Sequence, residues 1–315
     1  MAAAGSKRVV LIAIGVNGLI AVAKFIVATI TGSSAMLSEG IHSVVDTGNQ
    51  SLLLFGMYRA KRPPDERHPF GYGMEIYFWA FVVAIVLFSM GAGLSIYEGI
   101  SHLQHPVPIE SPIWNYFVLV LAMGLEGYAL YAAWTEFDKS RGKTSLIRAL
   151  RHSKDPSVFT VLLEDSAAIL GLLIALGGIS LSIYLDAPAI DAWASILIGV
   201  MLGIIAVFLA VESKQLLVGE AADPAVVSGI RAIVQKDKRI SHVNELLTMH
   251  LGPDDLLLNL SVDFKNHYTA VEVEQAISEI ERRIKKEYPQ VRKLFIEAQS
   301  ISGHLADRLE HKEEA

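Results

Sequence analysis

Apolar positions fill the first two hundred residues in long blocks, and short polar connections separate them. The blocks fall at about 8–31, 34–58, 73–103, 112–135, 157–184 and 188–212. Each is close to, or longer than, the roughly 20 residues that an α-helix needs to cross a bilayer. The third block is long, so it is expected to tilt or to extend beyond the hydrocarbon. After Glu212 the pattern changes. Residues 224–235 form a short helix candidate, and 242–250 and 256–264 read as strands. The second strand sets Leu256, Leu258, Leu260 and Val262 on one face at period two. Residues 271–288 are amphipathic, with Val273, Ala276, Ile277, Ile280 and Ile284 on one stripe, and 291–299 reads as a third strand. The pattern predicts a polytopic α-helical membrane protein. Six transmembrane helices occupy 1–212, a cytoplasmic α+β domain of order αββαβ occupies 213–300, and a polar tail covers 301–315.

Composition agrees with the pattern. Hydrophobic residues make up 52% of the 315-residue chain, and the mean hydropathy is +0.41. Both values are too apolar for an ordinary soluble domain. Loop charges orient the helices. Lys7 and Arg8 precede the first span; Arg59, Lys61, Arg62 and Arg67 lie between the second and third; Lys139, Arg141, Lys143, Arg148, Arg151 and Lys154 lie between the fourth and fifth. The other three connections carry no Lys or Arg, so the positive-inside rule predicts both chain ends in the cytoplasm. The first apolar block is longer than a signal-peptide core and lacks a small-residue cleavage site after it, so no cleaved leader is expected. No basic stripe suggests nucleic-acid binding.

The chemistry is concentrated in the second span. His42 and Asp46 lie four residues apart, hence on one helix face. A further acid, Asp165, lies in the fifth span at a comparable depth, with Glu164 beside it pointing about 100° away. Glu164 is a fourth ligand, a supporting base or a residue facing a neighbouring helix. Ionisable side chains in a bilayer are costly and face a cavity or a partner. The chain has no cysteine, so any metal must be held by His, Asp, Glu or carbonyl oxygen. An imidazole with carboxylates suits a borderline divalent ion. Glu126, near the middle of the fourth span, is a proton carrier or the partner of a cation. Lys24 is the only Lys or Arg deep in a span; it snorkels or pairs with an acid such as Glu39 or Glu126. Asn17, Asn49 and Gln50 read as helix–helix hydrogen-bonding groups.

The segment TGSSAMLSEGIHSVVD over 31–46 resembles the second-helix signature of the cation diffusion facilitators, and RPPDERHPFGYG over 62–73 resembles the segment that follows it there. The resemblance covers about 7–300. Asp155-Pro-Ser-Val and LLEDSAA over 162–168 are similar to the zinc-transporter-nine-like branch. The resemblance implies a homodimeric exporter of divalent metal driven by proton antiport, with Zn²⁺ as transported substrate and no organic cofactor. It implies two ligands from span two and two from span five, each pair spaced i, i+4. His42 and Asp46 fill the first pair, and Asp165 fills one position of the second. The other falls on Val161, which binds no metal. Three ligands plus water, Glu164, or a residue such as Glu126 then complete the site. Secondary sites look eroded. In the 62–73 segment, Asp65 and His68 remain where Tyr72 replaces a histidine; in the tail, His242 and Glu297 remain where Asn259 and Phe295 replace two more. A weak or absent regulatory metal site is expected, with the tail serving in dimerisation.

The expected function is Zn²⁺/H⁺ antiport by alternating access, with Mn²⁺, Fe²⁺ or Co²⁺ as alternatives. Ligands must lose protons to bind metal, so proton and metal compete for the same groups. An intramembrane metalloprotease is disfavoured by the absence of a His-Glu-x-x-His pattern, and a non-transporting metal sensor by the well-populated intramembrane site.

Overall fold

The computed structural model describes residues 2–105, 112–141 and 154–305. Lys143, Arg148 and Arg151, used above to orient the helices, lie outside the described residues, as does the tail beyond 305. The chain divides into two compact units: Met1–Pro63 with Met74–Lys214, and Pro64–Gly73 with Gln215–Ala315.

The first unit contains six long helices: α1 (Ala2–Thr31), α2 (Ser34–Arg59), α3 (Glu75–Gln104), α4 (Pro112–Arg141), α5 (Pro156–Tyr184) and α6 (Ala189–Val218). Five of them are long and apolar enough to cross a membrane; α2 is the exception. Its 26 residues would span about 39 Å, so length is not its deficit. Glu39, His42, Asp46, Asn49 and Gln50 lower its apolarity, and all five are fully buried against other helices. Two of these side chains, His42 and Asp46, belong to the candidate site. Within α3, Leu87–Ala92 winds as a π-helix, one residue wider per turn than its surroundings. Further along, α3 meets α6 through Gly99 and Gly199. A Cβ at Gly99 would stand 2.8 Å from the Ala192 carbonyl oxygen, and one at Gly199 would stand 2.9 Å from that of Ala92. Small residues of this kind let two helix backbones approach closely in a membrane.

Local signals fix the ends of the two site helices. Gly32, at φ 68°, makes the sharp turn from α1 into α2. Ser33 caps α2 by accepting from Met36 N at 3.2 Å. Asp191 of α6 reaches the same end, accepting from Ala35 N at 3.2 Å and from Ser33 Oγ at 3.2 Å through either oxygen. In α5, Asp155 is the cap, accepting from Ser157 N at 3.0 Å, with Pro156 at the first position.

The second unit contains α7 (Pro224–Gln235), β1 (Ile240–Gly252), β2 (Asp255–Phe264), α8 (Ala270–Glu287) and β3 (Val291–Ala298). The sheet order is β1-β2-β3; β1 pairs antiparallel with β2, and β2 parallel with β3 after the α8 crossover. Leu256, Leu258, Leu260 and Val262 are all fully buried, in one core with Ile280 and Ile284 of α8 and Ile230 and Val234 of α7. Thr269 and Glu272 close a capping box at the start of α8. The connection 64–73 belongs to this unit, whereas sequence analysis assigned it to 1–212. The reason is local packing. The Phe70 ring stands edge-on to Phe295 with centroids 6.5 Å apart, and Lys293 Nζ lies 5.8 Å from the Phe70 centroid.

An ion cluster ties the turn between α7 and β1 to α8. Arg239 donates to Asp237 through Nε at 2.9 Å and Nη2 at 2.8 Å, and to Glu279 Oε2 through Nη2 at 2.6 Å. These bonds hold both carboxyls below their ordinary range. A depressed carboxyl contributes stability above its unfolded value, near about 4, and loses it as pH falls through the lower folded value. Amide protection factors across 224–298 of the full chain, corrected for intrinsic exchange, should therefore fall below about pH 4. Arg239→Ala should weaken protection at neutral pH only modestly, because Glu279 is partly exposed, and should remove that acid step. An unchanged acid step in the variant would contradict the assignment.

Candidate metal centre

α2 and α5 pack against each other, and their polar faces meet in the interior. His42 Nε2 lies 3.3 Å from Asp46 Oδ2, one helical turn away, and both side chains are fully buried. The approach is not aligned as a hydrogen bond: both imidazole nitrogens and both Asp46 oxygens have no hydrogen-bond partner. Across the interface, Asp165 is fully buried with both carboxylate oxygens unpartnered. Among the described residues, no three His, Asp or Glu side chains stand close enough together to hold an ion in this arrangement.

The surrounding polar residues have contacts of their own. Glu164 faces α2: its Oε1 accepts from Asn49 Nδ2 at 2.8 Å, while Oε2 is buried without a partner. Val161, one turn before Asp165, is fully buried and offers no ligand atom. Glu126 is held by α1. With the Asn17 amide oriented to satisfy its neighbours, its nitrogen donates to both Glu126 oxygens at 3.1 and 3.2 Å, and its oxygen accepts from Gln50 Nε2 at 3.0 Å. Lys24 does not snorkel. It is fully buried, 2.9 Å from Glu39 Oε2 and 2.9 Å from Ser43 Oγ. The Ser43 contact had no signal in the sequence, because a serine on an apolar helix usually bonds its own backbone.

The secondary candidates are not assembled. Asp65 accepts from Tyr72 OH at 2.6 Å, His68 N at 2.8 Å and Arg67 N at 3.0 Å, with His68 Nδ1 3.5 Å away. The Tyr72 hydroxyl, first among these, pulls the exposed Asp65 carboxyl below its ordinary range. This is a closed polar turn. His242 pairs in register with Asp263 on β2, and Glu297 with Ser261, so one β2 strand separates them, and both are exposed.

Residues 10–218 match the cation efflux transmembrane domain, about two thirds of the chain. The chain belongs to the cation efflux family. The family is one of transporters, and the apolar helices of this member are those of a multi-pass membrane protein. Over 262 residues the chain is 35% identical to the proton-coupled zinc antiporter SLC30A9, mitochondrial, of Mus musculus, covering 82% of this chain and 46% of that protein. It thus spans about half the length of that relative. Metal tolerance protein C4 of Arabidopsis thaliana is 29% identical over 265 residues, covering 82% of this chain and 57% of that protein. The manganese efflux system protein MneP of Bacillus subtilis is 25% identical over 296 residues, covering 92% of this chain and 95% of that protein.

Proposed function

We propose that this cation efflux family member exchanges a divalent metal ion, Zn²⁺ in the first instance, for protons across its membrane. The buried, unpartnered ligand atoms of His42, Asp46, Glu164 and Asp165, shared between two packed helices, carry the reading. Isolated buried polar atoms cost several kcal/mol each in a low-dielectric interior, of order 2–7. A doubly charged ion that draws them together offsets that cost. His42 and Asp46 supply nitrogen and oxygen from α2, Asp165 supplies oxygen from α5, and Glu164 completes the shell with the oxygen that Asn49 leaves open. The helices that carry them are already packed against each other.

Protons and metal compete for these groups, because each ligand binds metal only in its deprotonated form. Proton release on one side and metal release on the other then follow from alternating exposure of one site. Loop charge supports cytoplasmic chain ends, and export from that side is the direction we propose. The second unit serves in homodimerisation. The name of the mouse relative supports zinc, and His42 favours Zn²⁺ over harder ions. The name of the B. subtilis relative supports Mn²⁺ as the second reading.

Purified protein in proteoliposomes, with a panel of divalent ions and imposed pH gradients, tests the proposal. Acidifying the vesicle lumen should raise Zn²⁺ uptake severalfold over matched pH. Flux indifferent to the gradient would point to facilitated diffusion, and preference for Mn²⁺ over Zn²⁺ would move the substrate to the second reading.

A further inference from the structure

Lys24 is the one Lys or Arg side chain fully buried in the membrane unit among the described residues. Its ammonium has three protons to donate. One goes to Glu39 Oε2 and one to Ser43 Oγ, each at 2.9 Å. Glu39 uses only half of its capacity. Oε2 holds Lys24, while Oε1 is buried without a partner and is pressed against the α5 backbone at Gly171. A side chain there would collide with that oxygen, so the glycine is what admits the carboxylate between α1 and α5. Glu39 precedes His42 by three residues and Asp46 by seven. It therefore stands on the same α2 face as both, about 4.5 and 10 Å along the axis toward the helix start.

We propose that Glu39 is a second cation site on the path of the transported metal, and that Lys24 is its tethered resident cation. The proposal rests on the reading of His42 and Asp46 as the transport site. A pair that served packing alone would satisfy both carboxylate oxygens; here one oxygen is left open in a closed interior. Buried ion pairs also give little net stability, because desolvation of both charges consumes the attraction. Chemistry supplies the other role. A divalent ion moving along α2 from His42 meets a carboxylate held by a single positive charge. At equal distance it attracts that carboxylate about twice as strongly as the ammonium does. The metal takes Glu39, the ammonium yields, and it returns when the metal leaves. With Lys24 back in place the carboxylate is neutralised and no longer draws an ion in from that end.

Calorimetry with Zn²⁺ alone on the full chain in detergent, beside flux in proteoliposomes, tests this. Lys24→Met leaves Glu39 without its cation. The variant should bind two Zn²⁺ per protomer where the parent binds one, and its flux should fall about tenfold as the exit site retains its ion. Glu39→Gln leaves Lys24 uncompensated beside the path and should weaken Zn²⁺ binding at the first site about tenfold. The double variant is neutral and should restore both the single ion and its affinity. Its flux should stay about tenfold below the parent because the waypoint is gone. Should Lys24→Met fail to fold, the double variant decides: parental flux from it overturns the proposal. One ion in both the parent and Lys24→Met overturns it also, and leaves the transport site untouched. No Zn²⁺ bound by the parent removes the transport-site reading instead. Adding Asp46→Ala to Lys24→Met should keep the ion on Glu39, which separates the two sites directly.

Discussion

Asp46→Ala and Asp165→Ala are each expected to abolish metal transport, by about a hundredfold or more, while the protein remains folded. A supporting residue behind a metal ligand commonly costs 10–100-fold in affinity, and a direct ligand costs more. Asp46 is the only acid of α2 on the turn after His42, and Asp165 is the α5 carboxyl with both oxygens unpartnered. No neighbour can take over either place. Glu164 is committed through one oxygen to Asn49, and Glu126 is held by Asn17. Folding survives because each change removes a costly buried polar group and breaks no hydrogen bond of its own. Size-exclusion profiles and flux in vesicles measure the two parts. Normal flux from either folded variant would place the transport site elsewhere.

Glu164→Gln and Val161→His distinguish the ways of completing the site. If Glu164 is the fourth ligand, Glu164→Gln should weaken Zn²⁺ binding about tenfold to a hundredfold, since an amide oxygen carries no charge to offer. Val161→His then places an imidazole in a fully buried position next to an already completed shell. It should gain no affinity, and it should lose some stability from overpacking. If water fills the fourth position, the outcomes reverse: Val161→His tightens binding, and slow release lowers turnover. Calorimetry on both variants decides between them.

Much of the fold was legible in the sequence because period and length carry it. The β2 face at period two and the α8 stripe are local patterns, and the structure buries both where the pattern places them, with Val273 and Ile277 at the partly exposed margin. The π-helix at Leu87–Ala92 was not legible, since an apolar run looks the same in either winding. The placement of 64–73 was hidden too, because Phe70 meets a partner, Phe295, far along the chain. Within the site, the i, i+4 spacing announced His42 and Asp46. The direction of Glu164 and the choice of Glu39 over Glu126 by Lys24 depend on how helices turn toward one another. A single helix period does not contain that information.

Asp191 gives the start of α2 a further property. An α-helix presents about half a positive charge at its N-terminus. An ion travelling along α2 from His42 toward Ser33 would meet that charge as a closing barrier. The α6 carboxylate sits on this terminus, bonded to the Ala35 amide and the Ser33 hydroxyl, and is almost fully buried. It reverses the sign of the potential there. On the proposed path a cation would meet attraction at this end, supplied by a neighbouring helix that contributes no ligand to the proposed centre.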